Sequence, residues 1–241
     1  MPKFVELWVY LSATPLFGLT ATLIVYVAAQ AVYARLNQVP WANPVLWTVL
    51  VLASGLLATH VPYPTYFAGA QFIHFLLGPA VVALAWPLWL RRAELRQRWG
   101  RLLIAALAGG IAAAGSAWGL ALAFGLPHEV TLSLVPKSVT APVAMGIAEK
   151  IGGTPALAAV FAVITGLVGA LAGRYLFDAL RIPTTHDGWA ARGFALGTAA
   201  HGIGAARALQ VNADAGAYAA LALGLQVVLA SVLIPLVFKL L

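Results

Sequence analysis

Leu134-Val-Pro-Lys-Ser-Val-Thr-Ala-Pro-Val-Ala-Met-Gly-Ile-Ala-Glu-Lys-Ile-Gly-Gly153 decides how this chain is read. Lys137, Ser138 and Thr140 stand just before Pro142, and a helical pattern then runs to Glu149-Lys150. Proline has no N–H and suits the first turn of a helix. The stretch predicts a short helix starting near residues 139–142, with free amides and a cation at its mouth. A helix start of that kind attracts anions.

The surroundings are those of a membrane protein. Of 241 residues, 62% are hydrophobic and 9% charged, against about 25% charged in soluble domains. Residues 36–90, 102–128 and 151–173 contain no Asp, Glu, Lys or Arg, and a membrane helix needs roughly 20 apolar residues. The fold class is therefore all-α: a polytopic membrane protein with about six to eight crossings, some interrupted or re-entrant. Residues 128–151 either cross fully, giving about eight, or are re-entrant, which Arg181 and Arg192 on the cytoplasmic side favour. Residues 1–241 read as one integral membrane domain. Residues 1–64 form an N-terminal scaffold, 65–125 a first half and 126–241 a second half.

Net charge is +7, and Arg91, Arg92, Arg96, Arg98 and Arg101 fall in one short stretch. That clustering reads as a cytoplasmic loop under the positive-inside rule, so the +7 does not point to nucleic acid. The absence of cysteine excludes disulfides and thiolate metal sites. The start of the chain, with Lys3 and Glu6 before a long apolar run, reads as a retained first span, not a signal peptide.

Spans are expected at 7–33, 44–60, 65–90, 102–125, 154–180 and 214–239, the last with Asp214 as N-cap. Leu77-Gly78-Pro79 interrupts the third, just after Gln71 and His74. Taken alone that pair reads as a kink. Gly78-Pro79-Ala-Val-Val-Ala-Leu-Ala nevertheless resembles Ala141-Pro142-Val-Ala-Met-Gly-Ile-Ala, a weak internal repeat of the kind that places interrupted transporter helices at a midplane site. Gly78 and Pro79 join the candidate substrate residues on that basis.

Residues 187–213 form a second unusual stretch. Gly193, Gly197 and His201 recur every fourth residue, and Gly202 and Gly204 weaken the helix just beyond the histidine. Arg207, in an apolar setting, suits a carboxylate through its two-pronged guanidinium, or pairs with Asp214. His201 carries a coupled proton or serves as a simple hydrogen-bond donor. Lys137, which costs roughly 2.5–3.5 kcal/mol at the bilayer centre, faces a ligand or snorkels to the surface. Glu149-Lys150 reads as a solvated helix end, and His128 and Glu129 as loop residues. The candidate substrate residues are thus Lys137, Ser138, Thr140, Pro142, His201, Gly202, Gly204, Arg207, Gly78 and Pro79. No catalytic constellation and no metal-ligand spacing stands out. No cofactor is expected beyond a coupled proton or sodium ion.

Pro136-Lys-Ser-Val-Thr-Ala-Pro-Val-Ala-Met, Gly152-Gly-Thr-Pro-Ala-Leu, Thr165-Gly-Leu-Val-Gly-Ala and Ala200-His-Gly-Ile-Gly-Ala-Ala-Arg-Ala together resemble the LrgB/CidB family, with Leu77-Gly-Pro-Ala-Val-Val-Ala-Leu-Ala fitting its first half. The resemblance implies one of two activities. One is holin/antiholin-like regulation of autolysis and murein hydrolase activity beside a small LrgA/CidA-type membrane partner. The other is carriage of small organic anions such as pyruvate, glycolate or glycerate. It also implies a multi-pass protein of the bacterial inner membrane, and the small-residue faces suit a homodimer. Ala205 departs from the family's Thr and Gly202 from its common Ala. Each change removes bulk or a hydroxyl beside the expected site. Of the two activities, the helix breaks favour transport of small monocarboxylates by alternating access.

Overall fold

The computed structural model describes residues 15–76, 79, 82, 83, 85–90 and 92–240. These form helices α1 (Pro15–Arg35), α2 (Pro44–Thr59), α3 (Tyr63–Phe75), α4 (Ala85–Leu90), α5 (Arg92–Ala123), α6 (His128–Leu134), α7 (Ala141–Ile151), α8 (Pro155–Ala179), α9 (His186–Val211) and α10 (Ala213–Leu240). The described residues are helical apart from turns and short irregular connections, with no strand among them, as expected of an all-α polytopic membrane protein. Among the described residues four helices are long and apolar enough to cross a bilayer, spanning Leu16–Arg35, Arg92–Ala123, Pro155–Ala179 and Ala213–Leu240; Pro44–Thr59 is a shorter apolar helix. Residues 7–14 of the expected first span, Gly78 and the interruption beside it lie outside the described residues.

The chain divides into two compact units, Met1–Ala83 and Leu84–Leu241. In the first, α1 packs on α2 and α3. A Cβ on Gly18 would lie 2.0 Å from the Tyr66 carbonyl, so the absent side chain is what lets α1 approach α3. Asn43 caps α2, its Oδ1 accepting from the amides of Val45 and Leu46 at 2.9 and 3.2 Å.

The second unit is built on α5, α8 and α10. Along α8, Val160, Ile164 and Val168 are exposed, while Ala158, Ala162, Gly166, Ala170 and Gly173 are buried. Large residues four apart on one face and small ones on the other are what a lipid-facing, closely packed membrane helix needs. The stretch Arg92–Arg101, expected as a loop, is instead the start of α5. Glu94 and Arg98 pair across one turn, and neither Pro nor a turn signal separates the arginines from the apolar run.

Helix directions fix the path between these spans. The arginine-rich end of α5 meets the starts of both α9 and α10: Arg98 pairs with Asp187 at 2.7 Å, and Tyr218 donates to Glu94 at 2.6 Å. Further along, Gln226 donates to the Ala106 carbonyl, and Trp118 packs edge-on against Phe238. So α5 and α10 run parallel. Arg192, near the start of α9, pairs with Asp178 near the end of α8 at 2.9 Å, so α8 also finishes at the arginine-rich end. α9 therefore enters and leaves at that end, although it has 26 residues. By the same reasoning α6 and α7 enter and leave at the opposite end. There the amide of Thr154 donates to Ser133 Oγ at 2.7 Å, and the Thr154 hydroxyl donates to Glu129. Glu129, expected in a loop, is thus a helical residue of α6 that fastens this mouth.

Glycine makes the second re-entrant segment close-packed. Cβ atoms on Gly193 and Gly197 would each lie 2.1 Å from a carbonyl of α10, those of Ala215 and Ala219. Replacing Gly197 by Ala forces those backbones apart, and overpacking of this kind costs about 1–3 kcal/mol. Gly197→Ala is expected to lower the melting temperature in detergent. Gly224→Ala, where a Cβ meets nothing within 4 Å, should leave it unchanged.

Candidate functional site

The two re-entrant segments end in tips of different construction. In the first, residues 135–140 are irregular and α7 then starts at Ala141, as the proline predicts. Pro142 lies in its first turn, and Thr140 adopts an extended conformation without capping through its side chain. The first-turn amides thus point out toward the turn. Ser138 and Val139 are buried and Lys137 is half-buried; Lys137 Nζ lies 3.4 Å from Ser138 Oγ.

The second tip is a break inside α9. Helical geometry is lost at Ala200 and His201, one residue earlier than the Gly202–Gly204 weakness suggests. His201 has φ 40° and ψ −134°, a region that costs a non-glycine residue roughly 1–3 kcal/mol. Its ring holds the conformation: Nε2 donates to the Ala162 carbonyl of α8 at 2.7 Å, so the hydrogen resides on Nε2. Gly166 makes room, since a Cβ there would lie 2.9 Å from the His201 ring.

Ala162 is where the tips converge. It belongs to one buried cluster with Val139, Ala144, Ile147 and Ala148 of the first segment, while its carbonyl binds His201 of the second. The structure thereby gathers Lys137, Ser138, Thr140 and Pro142 on one tip and His201 and Gly202 on the other. Gly202 opens onto free space, with nothing within 4 Å of a Cβ position. Gly204 is a packing residue, because a Cβ there would lie 2.6 Å from the Leu196 carbonyl and 2.7 Å from Ala200 Cβ. Arg207 is buried in the returning half of α9, roughly 9 Å along the helix from His201. Pro79 is described and exposed; Gly78 lies outside the described residues.

Sequence reading missed Ala162 and Gly166. Gly166 stands in the Thr165-Gly-Leu-Val-Gly-Ala motif, but alanine and glycine signal packing and not position. It also missed a polar cluster at the arginine-rich end. Here His186 bridges two carboxylates, Nε2 to Glu94 and Nδ1 to Asp214, each at 3.0 Å. Hydrogen bonds to Glu94 and Asp214 hold the His186 pKa above its ordinary value. The Arg98 guanidinium holds Asp187 below the usual carboxylate range. Asp214 is not the cap of α10: Asn212 is, its Oδ1 accepting from the amides of Asp214 and Ala215 at 2.8 and 3.1 Å. Asn212 is extended and lies outside the helix, whereas Asp214 sits within the first turn.

Two re-entrant segments that open at opposite ends and meet beside a spanning helix define a polytopic membrane protein with interrupted helices. Residues 22–240 match the LrgB-like family, and the chain belongs to it. Among similar proteins, an uncharacterized Bacillus subtilis (strain 168) protein, YxaC, is 36% identical over 90% of this chain and 92% of its own length. An uncharacterized Haemophilus influenzae protein is 34% identical over 82% and 84%. The holin-like protein CidB of Staphylococcus aureus (strain Mu50) is 29% identical over 91% and 93%. No solved structure matches.

Two outcomes follow from this geometry. His201→Gly should be more stable than His201→Ala by on the order of 1 kcal/mol, seen as a higher melting temperature in detergent, because both lose the ring but only glycine relaxes the backbone. The chain has no cysteine, so single cysteines report cleanly. His128→Cys and Thr184→Cys are expected to react with an impermeant maleimide from opposite sides of the membrane; reaction from one side would contradict the opposed mouths.

Proposed function

We propose that this chain is a secondary transporter of small monocarboxylates, of the size of pyruvate, glycolate or lactate, working by alternating access. The observation that carries the proposal is the convergence of two oppositely opening tips on Ala162. Each tip then closes off one side of a shared midplane region. A carboxylate at the start of α7 would meet first-turn amides, the Ser138 and Thr140 hydroxyls and the Lys137 ammonium. Backbone amides, hydroxyls and a cation together form an anion site at low dielectric. Arg207 supplies the second positive charge. His201, with Nε2 committed to Ala162, presents Nδ1 to a proton, and a proton or sodium ion couples the cycle. The membrane is the bacterial inner membrane. The arginine-rich end faces the cytoplasm by the positive-inside rule, and the protein functions as a homodimer or beside a small LrgA/CidA-type partner.

A second reading is that of a holin-like regulator of autolysis and murein hydrolase activity. The similarity to the holin-like protein CidB of Staphylococcus aureus favours this reading over carboxylate transport.

One experiment separates the two. Liposomes holding only the purified protein are tested for uptake of labelled pyruvate, glycolate and lactate, with a trapped dye reporting leakage. The carrier reading expects saturable uptake in dye-tight vesicles. Lys137→Ala and Arg207→Ala should each reduce it on the order of tenfold or more, a loss of about 1.4 kcal/mol of anion binding. Dye release that is indifferent to both substitutions supports the holin-like reading and defeats the carrier.

A further inference from the structure

The cluster at the arginine-rich end lies far from the tips along α9, and the proposed binding site does not use it. Its geometry is specific. Both ring nitrogens of His186 lie 3.0 Å from carboxylate oxygens, Glu94 of α5 on one side and Asp214 of α10 on the other. Carboxylates at these distances accept hydrogen bonds, and neutral imidazole has only one N–H to give. Only the imidazolium satisfies both partners; removing its proton leaves one lone pair facing a carboxylate oxygen.

The described polar groups around the ring come from three helices. From α5 come Glu94 and Arg98, which pair with each other at 3.5 Å. From α10 come Asp214 and Tyr218, whose hydroxyl donates to Glu94 at 2.6 Å. The neighbour Asp187 is engaged by Arg98 at 2.7 Å. The first half of α9 is fixed to α10 by the glycine contacts at Gly193 and Gly197. The polar tie from this pair of helices to α5 at this end runs through Glu94 and Arg98, beside an apolar cluster of Leu95, Leu102, Ala190, Phe194 and Tyr218. Among these residues only histidine has an ordinary pKa near neutrality. The His186 side chain is 50% exposed, so its proton exchanges with the aqueous phase.

We propose that His186 is a pH-sensing latch: its imidazolium, held between Glu94 and Asp214, fastens α9 and α10 to α5, and loss of the proton loosens that end. The latch deepens the carrier reading, on which its role in a transport cycle rests, because this end is the mouth of the second re-entrant segment. The sign follows from the two carboxylates, which raise the pKa in the folded state. The tie is complete below the ordinary histidine value of about 6.5 and fades as pH rises through the raised one. Under the proposed topology, cytoplasmic acidification locks this mouth and alkalinisation frees it.

The test reads the mouth itself and no flux. Hydrogen–deuterium exchange of the full chain in nanodiscs, corrected for intrinsic rates, is followed from pH 6 to 8.5 over residues 92–99 and 186–196. Protection in the unaltered protein is expected to fall on the order of tenfold across that range. His186→Gln should abolish the dependence, and Asp214→Asn, which removes one of the two negative charges that hold the imidazolium, should shrink it. Unchanging protection in the unaltered protein, or the same slope in His186→Gln or Asp214→Asn, overturns the latch. Absence of carboxylate uptake would defeat the carrier reading and leave this result intact.

Discussion

The His201–Ala162 hydrogen bond is the contact on which the meeting of the two tips depends. A backbone that abandons helical hydrogen bonding at membrane depth finds no water there, and each unsatisfied group costs several kcal/mol. Such a break survives only where protein encloses it. At His201 the enclosure is supplied by α8: the ring binds a carbonyl of that helix, and Gly166 clears the space for it. The strained φ of His201 is thereby held by its own side chain. Strain kept in place by one specific partner is a common attribute of sites that must switch or bind.

Close backbone contact does the rest of the holding. Between membrane helices no hydrophobic gradient drives association, so the energy comes from van der Waals contact and hydrogen bonds. Gly193 and Gly197 bring the first half of α9 onto the carbonyls of α10, and Gly169 and Gly173 bring it onto Ala200 and Leu196 within the α8–α9 pair. Large residues go to the lipid instead, as Val160, Ile164 and Val168 do on α8. This division explains how a chain with few large buried side chains can hold two re-entrant segments in register.

The two mouths are fastened by polar contacts of unlike character. The first uses Ser133, Glu129 and Thr154, with hydroxyls and an amide as donors. The second uses Glu94, Arg98, His186, Asp187, Asp214 and Tyr218, a charged network across three helices. Charged pairs at an exposed helix end are individually weak. A shared proton makes them conditional, and that condition distinguishes one end of the protein from the other.

What the sequence by itself determined is local. Charge-free stretches marked the membrane spans, Pro142 placed the start of α7, and the glycines around His201 marked a weak helix. It also singled out Lys137, Ser138, Thr140, His201 and Arg207 as polar groups in an apolar chain. Propensity, proline and hydropathy act within a few residues, so these features are written in short windows. The tertiary structure decided what depends on distance. It made residues 128–151 and 186–211 re-entrant, moved the arginine stretch into α5, and passed the cap of α10 to Asn212. It also made Ala162, an unremarkable alanine, the meeting point of both tips. The physical reason is that a re-entrant segment and a crossing helix have the same composition. Only the side on which the next helix begins tells them apart, and that is fixed by packing between residues far apart in the chain.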